Sequence, residues 1–340
     1  MALRTFGKNP PKEKVNNSPN YKNGSFENLN PTEVTLKDTT MLKMLKEYRN
    51  RPKNTAPAKP IPYIKTDLNN LEADKPTIVW FGHSSYLIKS KDLNILVDPV
   101  FNGYASPFPF FAKAFKGADE YGITDFDTID VLVITHDHYD HLDYPTIKAL
   151  HPKVKYIITS LGVGNHLNYW GVPKEKITEL DWWEKKELNN GLKFTAAPAR
   201  HFSGRSFRRG QTLWSSFVLN IHEHQIYIGA DSGYDMHFKT IGEKFGGFDF
   251  ALLECGQYGK NWPYIHMMPE QTLQAAKDIN TKVLMPVHWA KFTLALHPWN
   301  EPINRLMAVK DDFNGTVTTP KIGEPVIIGE HLPNKIWWEI

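Results

Sequence analysis

The densest chemistry in this chain lies at 135–143, T-H-D-H-Y-D-H-L-D, where His136, His138, Asp140 and His141 put four metal-binding side chains within six residues. Alternate side chains of extended backbone point to the same side. A tight loop can therefore aim His136 and His138 at one ion while Asp140 and His141 reach a second. Imidazole and carboxylate suit Zn²⁺, and they also suit Fe or Mn. Cys255 is the only cysteine, which excludes an intramolecular disulfide and a thiolate-rich structural zinc site. Any ion must rest on histidine and carboxylate.

Such a cluster needs rigid elements behind it. The run 129–135, IDVLVIT, is continuously apolar, as in a strand buried on both faces, and it delivers His136 to the strand's C-terminal end. Upstream, TIVWFGHSSYLIKS and LNILVDPVF read as a strand pair joined by a turn at Lys91 and Asp92. The same texture recurs at VKYIITS, KFTAAPA, WSSFVLNI, QIYIGAD, FDFALLEC and KVLMPVHW, with helical candidates TIKALH and MPEQTLQAAKDI between some of them. Strand ends repeatedly close in His, Asp or Glu. The expected fold is α/β: two mixed β-sheets face to face with helices outside, a four-layer αβ/βα sandwich. Residues 1–75 are rich in Asn, Lys and Pro and carry only a short helical candidate around 41–48, so they read as an arm wrapping a domain at 76–340.

With 340 residues, 41% hydrophobic and a formal charge of +3, the composition is that of a globular protein and gives no reason to expect nucleic acid as a partner. No run approaches the ~20 apolar residues of a membrane span, and MALRTFGKNPPKEK lacks the apolar core of a signal peptide. The chain reads as cytoplasmic, compatible with peripheral attachment to a membrane. A natural chain carrying an additional N-terminal anchor would read the same way.

H-x-H-x-D-H resembles the signature of the metallo-β-lactamase superfamily. The flanks WFGHSSYLI, ILVDPVF, APARHFSGR, TLWSSFVL, ADSGY, FDFALLECGQY and PVHWAKFTLA are similar to the branch of phospholipases D that hydrolyse N-acylphosphatidylethanolamine. The resemblance implies that His136, His138 and His201 hold one zinc and that Asp140, His141 and His288 hold a second, with Asp231 bridging them. It also implies His83 and Asp98 as partners behind the ligands. The implied activity is phosphodiester hydrolysis by a metal-bridging hydroxide. A pair of ions would lower the pKa of the shared water and clamp two oxygens of a diester. A lactonase, carboxyl ester or amide hydrolase on the same metals is the alternative, followed by a non-catalytic metal-binding scaffold.

Glu254 and His266 flank the loop GQYGKNWPYI, so one of them could protonate the leaving group or touch the head group; Asp231 and Asp140 complete the catalytic candidates. Arg205, Arg208 and Arg209 follow His201, and their guanidinium groups could bind phosphate oxygens; Tyr258 is a further substrate-binding candidate. A second H-x-H, His222 and His224, reads as a polar hairpin turn. The stretch 101–115, FNGYASPFPFFAKAF, is an aromatic loop rimmed by lysines that could dip into a lipid surface, pack on the domain, or form a homodimer contact.

Overall fold

Continuous apolar runs become strands with both faces covered. The computed structural model describes residues 2–91, 93–189, 191–206 and 208–340, so Asp92 of the expected turn lies outside the described residues. All six residues of the strand Ile129–Ile134 are buried, as are all five of Phe250–Glu254 and of Val283–Val287.

Apart from a short hairpin of Tyr21–Lys22 and Ser25–Phe26, the described strands form two seven-stranded sheets. In the first, Pro325–Ile327, Thr77–Trp80, Tyr86–Ser90 and Leu93–Val97 pair antiparallel in that order, and the sheet continues parallel through Ile129–Ile134, Val154–Ser160 and Ile177–Leu180. The second repeats the scheme: Lys185–Glu187, Lys193–Ala197, Ser216–Ile221 and His224–Ile228 are antiparallel, then Phe250–Glu254, Val283–Val287 and Thr316–Val317 are parallel. One apolar core joins Ile78, Leu96 and Val133 of the first sheet to Phe194, Leu219 and Leu284 of the second. Fully burying such a side chain contributes ~1.5–3 kcal/mol. Helices such as Tyr144–Leu150 and Pro269–Asp278 turn Ile147, Leu150, Leu273 and Ala276 inward, which completes a four-layer αβ/βα sandwich.

His222 and Glu223 make the two-residue turn between Ile221 and its partner His224, on the side of the sheet remote from Asp231. From the first 75 residues, Ile61 and Leu68 enter the main core, and Val15 and Phe26 pack with Trp182 and Trp214 in a smaller one. The backbone of Phe26 donates to Gly210 and that of Ile61 to Lys116. Among the described residues, no helix is long and apolar enough to cross a membrane.

Candidate metal centre

A parallel strand presents its last residue, and the turn after it, at one edge of the sheet. In the first sheet, Asp98 follows Leu93–Val97 and His136 follows Ile129–Ile134. In the second, Asp231 follows His224–Ile228 and His288 follows Val283–Val287, while Glu254 ends Phe250–Glu254. His83, Asp98 and His288 have φ of 52°, 40° and 67°. Left-handed backbone costs a non-glycine residue of order 1–3 kcal/mol and persists only where the surroundings impose it. Here the two sheets are tied at this point, with the backbone N–H of His83 donating to Trp289 and that of His288 donating to His83, both at 2.9 Å.

Three imidazoles meet first. His136 Nε2 lies 3.0 Å from His138 Nδ1, which lies 3.1 Å from His201 Nε2; Asp231 Oδ2 is 3.8 Å from both His136 and His201. A tetrahedral ion bonded at 2.0–2.1 Å separates its ligand atoms by ~3.3 Å, so these spacings fit one shared ion. The outward nitrogens are engaged: His136 Nδ1 with Thr135 Oγ1 at 3.0 Å and His201 Nδ1 with the Ile265 carbonyl at 2.8 Å. An Nδ1–H donated to that carbonyl leaves the Nε2 lone pair of His201 facing inward.

A second group, His83, Asp140, His141 and His288, also brings one ligand atom from each residue within 4.8 Å. His141 Nδ1 faces Asp98 Oδ2 at 2.8 Å, and Asp98 accepts from the Thr135 backbone and hydroxyl as well. His83 Nε2 contacts Asp140 Oδ2 at 2.8 Å. Asp231 stands between the groups, with Oδ2 3.1 Å from His141 Nε2 and Oδ1 3.0 Å from His288 Nδ1. That Oδ1 contact lacks hydrogen-bond geometry, and Asp231 Oδ1 and His288 Nε2 are both buried without a hydrogen-bond partner. Unpaired buried acceptors are costly in a protein interior and are accounted for where a cation completes them. The donor set therefore fits two metal ions.

His266 stacks on His288 at 5.2 Å and its Nδ1 lies 2.6 Å from Glu254 Oε2. Glu254 is buried, and its other oxygen accepts from the backbone of Ser232 and Met267. Burial lowers the pKa of His266, but the Glu254 carboxylate more than offsets it and raises His266 above the ordinary imidazole range. His266 shares a cavity of about 240 Å³ with His138, Asp140, His201, Asp231 and His288. A larger cavity of about 680 Å³, lined by Asp249 and Lys282, lies at the opposite strand ends and is remote from these donors.

Three sequence-derived candidates, Arg205, Arg208 and Tyr258, are not among the residues that line the cavity of His266. Arg205 is buried: Nε and Nη2 donate to the Thr5 carbonyl and Nη1 to the carbonyls of Asp137 and Leu142, so its donors are spent on the arm and the metal loop instead of on substrate. Arg208 is exposed, and Arg209 is the arginine of this loop that lines the metal cavity. Tyr258 gives its hydroxyl to Glu301 at 2.6 Å and lines a neighbouring groove.

The sequence reading also missed residues. Val34 and Thr35 of the arm line the metal cavity, and Asn28 exchanges two hydrogen bonds with the backbone of His201. No local motif marks them, because their neighbours lie more than 100 positions away. Ser84, whose hydroxyl lies 2.9 Å from His288 Nδ1, had a signal in its place beside His83.

Residues 93–289 match the model of the beta-lactamase superfamily domain. The chain is similar to an uncharacterized protein of Mycobacterium tuberculosis, with 37% identity over 328 residues, 95% of this chain and 88% of that protein. It is also similar to N-acyl-phosphatidylethanolamine-hydrolyzing phospholipase D 1 of Caenorhabditis elegans, with 28% identity over 264 residues, 72% and 74% of the two chains. Among solved structures, Igni18, a metallo hydrolase from Ignicoccus hospitalis, superposes with a TM-score of 0.56 at 20% identity over 74% of this chain and 97% of its own.

Proposed function

From the premise that this chain belongs to the metallo-β-lactamase-fold superfamily of metal-dependent hydrolases, we propose that it is a dinuclear phosphodiesterase of phospholipase D type. Its substrate is N-acylphosphatidylethanolamine or a related amphiphilic phosphodiester. The observation that carries the reading is Asp231, a buried carboxylate whose two oxygens face different histidines, His141 and His288. His136, His138, His201 and Asp231 would hold one ion, and Asp140, His141, His288 and Asp231 the other. When bound, two such ions lower the pKa of a shared water and neutralise charge on the oxygens of an in-line displacement.

The chain's own groups supply the rest. Asp98 and the Ile265 carbonyl orient His141 and His201, which preorganises the ligand set. Glu254 holds His266 by Nδ1 and favours its protonated form, leaving Nε2 to donate a proton to the departing alkoxide. Phe202 packs on His138 and His201 and limits water beside them. The similarity to phospholipases D supports a diester over the lactones and carboxyl esters that the same donors could serve.

The test compares a chromogenic diester, N-acylphosphatidylethanolamine vesicles and a lactone panel, using metal-loaded protein, the His138→Ala variant and a chelated sample. Diester and lipid cleavage lost in both controls is the expected outcome. Lactone turnover without diester cleavage, from protein carrying two metals, would overturn the substrate assignment.

A further inference from the structure

The arm carries a helix whose polarity is inverted. Met41–Arg49, MLKMLKEYR, has no buried residue, and Met41, Leu42, Leu45 and Tyr48 are 86, 79, 64 and 55% exposed. Its least exposed residues are Lys43 and Glu47. These polar residues meet the body: the Glu47 carboxylate accepts from the Asn261 amide, and Lys43 lines the groove that Tyr258 and Trp262 also border. An amphipathic helix on a globular protein normally turns its apolar stripe to the core. Here the stripe faces out, so it calls for an apolar partner beyond the chain.

Charge selects the partner. Lys46, Arg49, Arg51 and Lys53 accompany the stripe; Lys43 meets the body and pairs with Asp38 at 3.0 Å, and Glu47, the one acidic side chain in 41–53, is tied to Asn261. We propose that this helix seats the protein on an anionic lipid surface, with Leu42, Leu45 and Met41 entering the acyl boundary and the basic residues remaining among the head groups. A second copy is a poorer occupant. A two-fold contact sets the patch against itself and opposes the charges of Lys46, Arg49, Arg51 and Lys53 with the same four.

The position of the helix gives docking a purpose. Trp262 borders both the groove beneath the helix and the metal cavity. On another rim, Phe108, Phe110 and Phe111 are 39, 65 and 59% exposed, in a loop whose Ala105 and Pro107 lie beside His138 and Asp140. The aromatic loop thus lies beside the metal donors and the helix adjoins them through Trp262, and docking would bring that space to the membrane. The delivery of a lipid diester rests on the function proposed above; the docking itself is measured without turnover.

The experiment sediments the full chain with vesicles of phosphatidylcholine alone or mixed with phosphatidylglycerol. The protein should pellet with the anionic vesicles. The paired substitution Leu42→Glu and Leu45→Glu should weaken binding by at least roughly tenfold. Circular dichroism and hydrolysis of a water-soluble diester should not change, because both side chains already face solvent. Salt at about 1 M, where the Debye length falls to about 3 Å, should also weaken binding. Failure of the unmodified protein to bind anionic vesicles, or binding that the double variant retains, would overturn the proposal. A dimer in light scattering that the double variant splits would assign the helix to a second copy and overturn the lipid assignment. Vesicle binding as expected without cleavage of any diester would sink the proposed function and leave the docking intact.

Discussion

Replacing Arg205 with Met separates a structural brace from a phosphate-binding arginine. The side chain is 3% exposed and donates to three backbone carbonyls, two in the metal loop region and one in the arm, while its guanidinium lies 4.1 Å from the Tyr139 ring centre and 5.1 Å from that of Trp170. Methionine fills much of the volume but strands the carbonyls of Thr5, Asp137 and Leu142. Removing one partner from a buried charged network typically costs about 3–5 kcal/mol. At about 2.1 cal/mol/K per residue of unfolding entropy, that is a fall of roughly 4–7 °C in the unfolding midpoint of a chain this long. The assay is thermal unfolding of metal-loaded protein, paired with KM for a soluble diester. Deletion of residues 1–10 removes the Thr5 carbonyl, the Trp170 indole's partner on Arg4 and the Lys8 amide that donates to His166. Because both changes break the Arg205–Thr5 contact, the combined variant should lose less than the sum of the two. An unchanged midpoint with a raised KM would refute the brace and restore Arg205 to the substrate.

Asp98→Asn removes the carboxylate facing His141 Nδ1 and should weaken binding of one metal by about 10–100-fold, read by competition with a chelator. Glu254→Gln should lower kcat about a hundredfold with little change in KM. Since the carboxylate raises the pKa of His266, the alkaline limb of the kcat–pH profile should move to lower pH in that variant as the imidazolium is lost earlier. Asn28→Ala deletes both hydrogen bonds to the His201 backbone and should cost roughly 2 kcal/mol, with weaker metal retention by dialysis as the second readout. His222→Ala, in a hairpin turn away from the donors, should leave metal content and activity unchanged.

The parts of this molecule that could be read from the chain are those whose partners are local or periodic. His136, His138, Asp140 and His141 share one turn, while His201, Asp231 and His288 stand at the ends of apolar runs and were singled out among such residues by the family resemblance. Arg205 was misread because an arginine in a loop after a ligand has the same local sequence whether it faces the cavity or reaches back about 200 positions to Thr5. Tyr258, bonded to Glu301, and the exposed Arg208 could not be placed from sequence for the same reason, since side-chain direction in an irregular loop follows no period. The arm shows the limit most clearly. Its composition marks a segment without its own core, but nothing in Asn28, Val34 or Thr35 indicates that they lie against His201 or the cavity. The helix over 41–49 was legible as a helix, while its outward apolar face required knowing that Lys43 and Glu47 meet the body.

The most direct test of the central claim is reconstitution of chelator-treated protein with zinc while metal content and diester hydrolysis are followed on the same samples. The account predicts two ions bound per chain, activity restored only as the second is filled, and loss of that second equivalent in Asp231→Asn. Full activity at one ion per chain, or two-ion binding that Asp231→Asn leaves unaltered, would contradict it.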